Sequence, residues 1–450
     1  MSGYTPHTES DVAAMLGFLG LSSLDELFAA VPAALRLAAG LDIAPGLPEP
    51  DVFAHLEDLA AANRPCGRDL VCFAGAGAYD HEVPAVTRAL AGRSEFVTSY
   101  TPYQPEVAQG VLQALFEFQT LVARLSGVPI ANASLYDGSA ALVEAVNLGV
   151  AATGRQDVWL SHGVNPTWRA VLSTFAAGTG HRLHDVPLRN GTTDWSAVAF
   201  DDVGDPGVVV VAYPNFLGCL EDVAQARTVC DRSGALLVVA FDPVCAGILR
   251  SPGEWGADVV VGEGQALGMP LGFGGPYLGL FACTADHVRR LPGRLVGETV
   301  DAEGRRAYVT TLRAREQDIR REKATSNVCT NQTLMAVTAA IQLGWLGTSG
   351  MAEVALRSAR GAHYCRQALL GVAGVEPLAT AAVVREFALR LPVGADLVVE
   401  RLADEGFLAG VALDASYTDG RPDGLLVAVT ERRTRAEIDA FVSAFDKAVR

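Results

Sequence analysis

The sequence predicts an α/β protein with a mainly parallel sheet in a large domain, a smaller C-terminal α/β domain and an N-terminal helical arm. Two observations carry this prediction. Strand-like runs alternate with helical stretches through the middle of the 450-residue chain, an alternation typical of parallel sheets. The longest strand-like runs, GVVVVAY and ALLVVAF, have seven residues each, which suits strands buried on both faces.

The pattern of predicted helices and strands differs between three stretches of the chain, and these stretches are the predicted domains. Residues 1–65 read as short helices, with Ser23 and Glu26 predicted to form a capping box, and they form the arm. Residues 66–345 form the predicted large domain. Residues 346–450 form the predicted small domain, in which strands such as REFALRL and GLLVAVT alternate with helices.

The helices and strands of the large domain are each predicted from the sequence pattern. Helices are expected at about 105–126 and 139–153, and a long helix at about 333–346. Between them the runs DVWLS, GVVVVAY, ALLVVAF and ADVVVG are predicted strands. The stretch FAGAGAYD matches only two of the three glycines of a dinucleotide-binding fingerprint and follows a poor strand, so it predicts a tight turn.

Composition narrows the class of protein. The formal charge of −16 argues against nucleic acid or an anionic membrane as a partner, and no apolar run approaches the roughly 18 residues of a membrane span. The N-terminus lacks an export signal, and the eight cysteines show neither C-x-x-C nor metal-type spacing. We therefore expect a cytoplasmic protein with free thiols and no metal site.

Two polar residues directly follow predicted parallel strands, where α/β folds bind ligands. Asp242 follows ALLVVAF and could pair with the pyridinium nitrogen of pyridoxal phosphate (PLP), or could simply be a turn residue before a proline. His162 follows DVWLS and could stack on a cofactor ring or transfer protons, or could be a loop histidine. Neither residue alone decides between these interpretations.

The order of these residues resembles that of fold-type I PLP enzymes, in which a lysine after the next strand binds the cofactor as an imine. The glycine-rich loop that follows ADVVVG contains no lysine, and Gln265 stands at about the matching position. A glutamine cannot form an imine. Lys323 and Lys447 are the only lysines of the chain, and both lie outside this strand-and-loop context.

Two other loops carry clusters of small polar or aromatic residues. TSYTPYQPE contains Tyr100, Tyr103 and Gln104, whose hydroxyl and amide groups could bind an anion or could belong to an ordinary turn. KATSNVCTNQT offers hydroxyl and amide groups before a predicted helix, and these could bind a phosphate or cap the helix. The groups in question belong to Thr325, Ser326, Asn327 and Thr330.

The chain resembles the P-protein family, the glycine dehydrogenases (decarboxylating) of the glycine cleavage system, and more closely the alpha subunit of the two-subunit bacterial form. The resemblance covers essentially the whole chain. The stretches that carry it are SSLDELFAAVP, GAGAYDHEVPAV, SEFVTSYTPYQPEVAQGVLQALFEFQT, ANASLYDGSAALVEA, GEGQALGMPLGFGGPYLG and REKATSNVCTNQ.

The resemblance implies an activity that is shared between two chains. P-protein binds glycine through PLP, releases CO₂ and passes the aminomethyl group to the lipoyl arm of H-protein. The PLP lysine belongs to the beta subunit, and the alpha and beta subunits form a heterodimer or an α2β2 heterotetramer. Gln265 in place of the lysine agrees with an alpha subunit.

The resemblance also implies residue roles. Tyr100, Tyr103 and Gln104 are candidates to reach the beta-subunit pocket, while Ser326, Asn327 and Thr330 are candidates to contact the partner's PLP phosphate. His162, Asp242 and Gln265 would belong to a degenerate pocket with no catalytic residue.

Two other functions are compatible with the residues. The chain could be a self-sufficient PLP decarboxylase that uses Lys323, or a scaffold that only stabilises or regulates its partner.

Overall fold

The structure is a computed structural model that describes residues 6–37, 40–197 and 204–450. The chain divides into two units, Met1–Asn63 and Arg64–Arg450. No helix in the described ranges is long and apolar enough to cross a membrane. The domain boundaries expected from the sequence stay predictions.

The first unit is helical and buries none of its described residues. It contains α1 (Glu9–Leu19), which Thr8 and Asp11 cap as a capping box, and α2 (Glu49–Ala61). The predicted Ser23–Glu26 capping box is wrong, because Ser23 makes no side-chain cap and Glu26 instead accepts a hydrogen bond from the backbone N–H of Ser22. Large apolar side chains stay exposed throughout, and Phe18 is 92% exposed.

The second unit contains the remaining helices and all the strands of the described chain. Its helices are α3 (Ala85–Ala91), α4 (Ser94–Val97), α5 (Gln109–Ser126), α6 (Gly138–Thr153), α7 (Pro166–Thr179), α8 (Val223–Ser233), α9 (Gln317–Arg320), α10 (Thr333–Leu370), α11 (Ala395–Asp404) and α12 (Arg435–Ala448). The predicted helix at about 105–126 begins only at Gln109, because Pro105–Val107 form a separate 3-10 turn. The predicted helix at about 333–346 continues to Leu370, with a break at Gly347.

The strands of the second unit include the four that the apolar runs predict. They are β1 (Val71–Cys72), β2 (Ile130–Ala131), β3 (Asp157–Ser161), β4 (Arg182–Val186), β5 (Leu188–Arg189), β6 (Thr192–Thr193), β7 (Val208–Tyr213), β8 (Leu236–Phe241), β9 (Val259–Glu263), β10 (Gly279–Cys283), β11 (Leu295–Val300), β12 (Arg306–Thr311), β13 (Glu376–Pro377), β14 (Glu386–Arg390), β15 (Phe407–Leu408), β16 (Val411–Ala412) and β17 (Gly424–Ala428). The four predicted strands are β3, β7, β8 and β9.

The main sheet of the described chain has seven strands in the order β2-β10-β9-β8-β7-β3-β4. β4, β3, β7, β8 and β9 run parallel, whereas β10 is antiparallel to both of its neighbours. Every residue of β7 is buried, as its unbroken apolar run predicts. The α/β class and the mainly parallel sheet are confirmed, and the carboxyl ends of β3, β7, β8 and β9 lie along one edge.

A second, antiparallel sheet has the order β13-β14-β17-β16 and packs with α11 and α12 around its own core. This core takes in Phe73, whose ring stacks on Phe441 with the centroids 4.0 Å apart. β1 also pairs with β15. A segment at the start of the predicted large domain therefore contributes to the core of the C-terminal sheet.

The two sheets approach each other closely at Gly218, in the loop after β7. Gly218 has a φ of +79°, and a Cβ added there would lie 1.9 Å from the carbonyl oxygen of Glu386 on β14. This position therefore needs a glycine for two reasons, the positive φ and the lack of space.

We expect Gly218→Ala to destabilise the protein more than a matched glycine substitution. Gly180 has a φ of +78° but no atom within 4 Å of an added Cβ. Gly180→Ala should lower the free energy of unfolding by about 1–2 kcal/mol through backbone strain alone, and Gly218→Ala by a further ~1–3 kcal/mol through the clash. Urea denaturation of both variants measures the difference. Equal losses would show that the contact between the sheets is not tight.

Candidate active site

A small cavity lies at the carboxyl ends of the parallel strands, where Asp242 follows β8 and Glu263 ends β9. The loop that contains Tyr79 and the start of β14, with Arg385 just before it, close the cavity from the other side. The cavity has a volume of about 80 Å³. This is well below the roughly 300–1,000 Å³ of typical small-molecule pockets.

Gln265 is 1% exposed and joins the end of β9 to the Tyr79 loop. Its amide oxygen accepts a hydrogen bond from the backbone N–H of Tyr79 at 2.8 Å. Its amide nitrogen donates to the carbonyl oxygens of Tyr79 at 3.1 Å and Met269 at 2.7 Å. Because the side chain of Gln265 carries both a donor and an acceptor, it holds the Tyr79 loop against the sheet.

Asp242 forms a buried ion pair with Arg385, with Oδ2 and Nη2 2.6 Å apart. The guanidinium carbon of Arg385 lies 3.5 Å from the centroid of the Tyr79 ring, and the arginine side chain is only 4% exposed. Burial alone would lower the pKa of Arg385, but Asp242 together with the neighbouring Tyr79, Cys245 and Glu386 outweighs this effect and the pKa is raised. Arg385 is therefore charged at neutral pH.

Glu386, the next residue along β14, holds the same loop at two points. Its carboxylate accepts hydrogen bonds from the backbone N–H of Ala76 at 2.7 Å and from the hydroxyl of Tyr79 at 2.8 Å. Burial raises the pKa of Glu386 to about 7, although these hydrogen bonds and Arg385 oppose the rise. A Cβ on Gly75 would lie 2.3 Å from this carboxylate, so the glycines of FAGAGAYD permit a close approach of the turn.

His162 lies in a separate polar cluster and does not line the cavity. Its Nδ1 is 2.8 Å from Asp185 Oδ2, and Arg169 forms an ion pair with the same carboxylate at 3.0 Å. The His162 ring packs against the ring of Tyr417 with the centroids 4.8 Å apart. The structure therefore does not bring His162 and Asp242 into one cavity.

These residues do not fit a bound PLP. Position 265 carries no amine, the carboxylate of Asp242 already has a cationic partner, and the remaining space is too small for a substituted pyridine ring with its phosphate. Lys323 offers no substitute, because it is exposed in the 3-10 turn Arg321–Lys323 and does not line the cavity.

Tyr103 and Arg294 line a second, larger cavity of about 650 Å³, and Thr330 lies beside it as a hydrogen-bond partner of Arg294. The Arg294 guanidinium is 5.7 Å from the centroid of the Tyr103 ring and donates hydrogen bonds to Thr330 at 3.2 Å and Asn331 at 3.0 Å. Tyr103 is 67% exposed, and Tyr100 and Gln104 are exposed beside it. Two loops that are distant in sequence therefore approach one open surface that carries charges of both signs.

Ser326 and Asn327 lie elsewhere, so the predicted group of Ser326, Asn327 and Thr330 is divided. Asn327 lines a cavity of about 480 Å³ with Glu144 and His181. The hydroxyl of Ser326 accepts a hydrogen bond from the backbone N–H of Val328 at 3.1 Å, and so it closes a local turn rather than capping α10. Contact of Ser326, Asn327 and Thr330 with a partner's PLP phosphate stays a prediction.

Sequence reasoning did not select Tyr79, Arg385 or Glu386, which dominate the small cavity. A signal for the last two was present, since they stand side by side at the head of the buried strand REFALRL. Charged groups at such a position need buried partners. Nothing in the sequence indicates that Tyr79 is one of those partners.

We expect Glu144→Gln to remove a pH dependence of stability. Burial raises the pKa of Glu144 from its ordinary 4.5 to about 7, although hydrogen bonds with Ser326 and Asn147 oppose this. Because the folded state holds this proton more tightly, the carboxyl stabilises the protein most at low pH. That contribution is lost as the pH rises from about 4.5 to about 7, by on the order of 3 kcal/mol.

Urea denaturation at pH 5 and pH 8 measures the effect, with Glu117→Gln on the exposed face of α5 as the control. The free energy of unfolding of Glu144→Gln minus that of the wild type should be larger at pH 8 than at pH 5. An equal pH dependence in all three proteins would contradict the prediction.

Comparison with known proteins gives the same family for almost the whole chain. The family model described as glycine cleavage system P-protein matches residues 2–445. The chain is similar to a protein of Moorella thermoacetica named probable glycine dehydrogenase (decarboxylating) subunit 1, with 47% identity over 441 residues that cover 98% of each chain.

Solved structures agree with this result. The chain is similar to a crystal structure of glycine decarboxylase (P-protein) of the glycine cleavage system in inhibitor-bound form, with a TM-score of 0.91, 45% identity and 99% of each chain covered. An alanine–glyoxylate aminotransferase from Nostoc sp. has a TM-score of 0.60 at 15% identity over 86% of this chain and 97% of that one, which confirms the predicted fold-type I architecture alone. Nearly complete coverage by the family model and by these relatives shows that the chain belongs to the glycine cleavage system P-protein family.

Proposed function

We propose that this chain is the alpha subunit of a two-subunit P-protein. Together with a PLP-bearing beta subunit it decarboxylates glycine and transfers the aminomethyl group to the lipoyl arm of H-protein. The observation that carries the proposal is Gln265, which follows β9 at about the position where the resemblance to fold-type I PLP enzymes implies the cofactor lysine. The name subunit 1 of a relative that matches over 98% of its length supports it.

The cofactor belongs, in this proposal, to the partner subunit. PLP supplies the electron sink for decarboxylation when it is bound there. This chain contributes oriented polar groups and keeps water away from the reacting atoms. The surface formed by Tyr103 and Arg294, with Thr330 beside it, is the candidate to face the partner's pocket, because it is open and Arg294 is held by hydrogen bonds. Tyr100 and Gln104 lie beside it, whereas Ser326 and Asn327 do not.

The first unit supports assembly with a partner. None of its described residues is buried, yet it exposes many large apolar side chains, including Phe18, Phe28 and Phe53. Exposed apolar patches of this kind mark surfaces that bind other proteins.

Two alternatives predict different results. A self-sufficient decarboxylase needs Lys323, but this residue is exposed and lies away from the strand ends. A scaffold needs no contribution from Tyr103 or Arg294 to the reaction. The experiments below separate both alternatives from the proposal.

We expect the purified chain to bind no PLP covalently. Incubation with PLP, reduction with borohydride and intact-mass measurement should leave the mass unchanged, and a mixture with the beta subunit should label only the beta chain. Glycine–bicarbonate exchange should need both chains. Label on this chain that disappears in Lys323→Ala would instead establish the self-sufficient enzyme.

We expect Tyr103→Phe and Arg294→Met to lower the kcat of glycine–bicarbonate exchange by roughly 10- to 100-fold in the assembled pair, because misplaced polar groups disturb the reacting geometry. Gel filtration should show unchanged assembly. Arg305→Ala is the matched control, since Arg305 is an exposed arginine near the turn between β11 and β12. Unchanged assembly and unchanged exchange in the Tyr103 and Arg294 variants would favour the scaffold.

A further inference from the structure

The small cavity differs from a pocket that has merely lost its lysine, because both carboxylate oxygens of Asp242 already have partners within the chain. One carboxylate oxygen accepts a hydrogen bond from the backbone N–H of Val244 at 2.9 Å. The other forms the ion pair with Arg385 at 2.6 Å and accepts a hydrogen bond from the thiol of Cys245 at 3.2 Å. The first oxygen also faces the backbone N–H of Cys245 at 3.4 Å, so each carboxylate oxygen has two partners within the chain.

Arg385 is held on more than one side. The ring of Tyr79 covers its guanidinium, and Nη1 donates to Nε2 of His81. The opposite nitrogen of His81, Nδ1, donates to Glu431 at 2.6 Å, which fixes the tautomer in which Nε2 accepts. The arginine is therefore oriented by a chain of buried groups that runs from Glu431 to Asp242.

The Tyr79 loop cannot easily move away from this arginine. Gln265 bonds both backbone groups of Tyr79, and Glu386 bonds its hydroxyl and the backbone of Ala76. Displacement of the guanidinium would leave two buried charges without partners, a change that is strongly unfavourable.

We propose that Arg385 is an internal replacement for the cationic ring of a cofactor: its guanidinium occupies the carboxylate of Asp242 and closes the pocket, so that this chain cannot accept a pyridine-type cofactor even with a lysine at position 265. The site is built for a planar cation. When the arginine side chain is removed, a small guanidinium compound should bind in its place.

The test uses the chain alone and measures no activity, so its result is independent of the proposed function. Arg385→Ala should lower the Tm by on the order of 5 °C, because it leaves Asp242 buried without its partner. Millimolar methylguanidinium should restore part of this loss. It should not do so in Arg385→Ala with Asp242→Asn, nor in Arg390→Ala, the matched control on the same strand whose partners are Asp419 and Asp423.

If Arg385→Ala does not fold, Arg385→Met with Asp242→Asn provides a neutral pair that should fold, and Arg385→Met alone should be less stable than this pair. Gln265→Lys should show no borohydride-trapped PLP by intact mass. Trapped PLP in Gln265→Lys, or equal rescue by methylguanidinium with and without the Asp242 carboxylate, would overturn the proposal. A neutral pair no more stable than Arg385→Met alone would overturn it as well.

Discussion

The ion pair between Asp242 and Arg385 is the interaction on which the arrangement of the second unit depends. Asp242 directly follows a strand of the parallel sheet and Arg385 directly precedes a strand of the antiparallel one, so the pair joins the two sheets. Neither charge is tolerable alone in a buried position. The surrounding bonds of Gln265, Glu386 and His81 all serve to hold the Tyr79 loop and the arginine in register with the carboxylate.

This arrangement explains how two related chains can have different roles, one that binds a cofactor and one that does not. A fold that places a carboxylate and a lysine at neighbouring strand ends is suited to hold a cofactor. When the lysine is replaced by an amide and the carboxylate is bound by an arginine, the same positions become structural. The fold then supplies a stable surface instead of a cofactor site. Such a chain keeps the family's architecture while its chemistry depends on a partner.

The fold was largely predictable, and the site was not. Apolar runs identify β3, β7, β8 and β9 because a strand buried on both faces needs an unbroken apolar sequence. Their order in the sheet depends on contacts between distant segments, which local patterns do not encode. The absence of a lysine at position 265 was visible in the sequence, but its structural consequence required Tyr79 and Arg385, whose approach is a property of the tertiary structure.

Helix α10 is broken at Gly347 and packs in both cores of the second unit. Residues before Gly347, such as Ala339 and Leu343, belong to the core of the main sheet, and residues beyond it, such as Cys365 and Leu369, belong to the core of the C-terminal sheet. This long helix therefore contributes side chains to both cores. The ion pair between Arg385 and Asp242 connects the same two sheets at a second point. Two separate connections hold the sheets at one angle. The second unit can therefore serve as a rigid surface against which a partner moves.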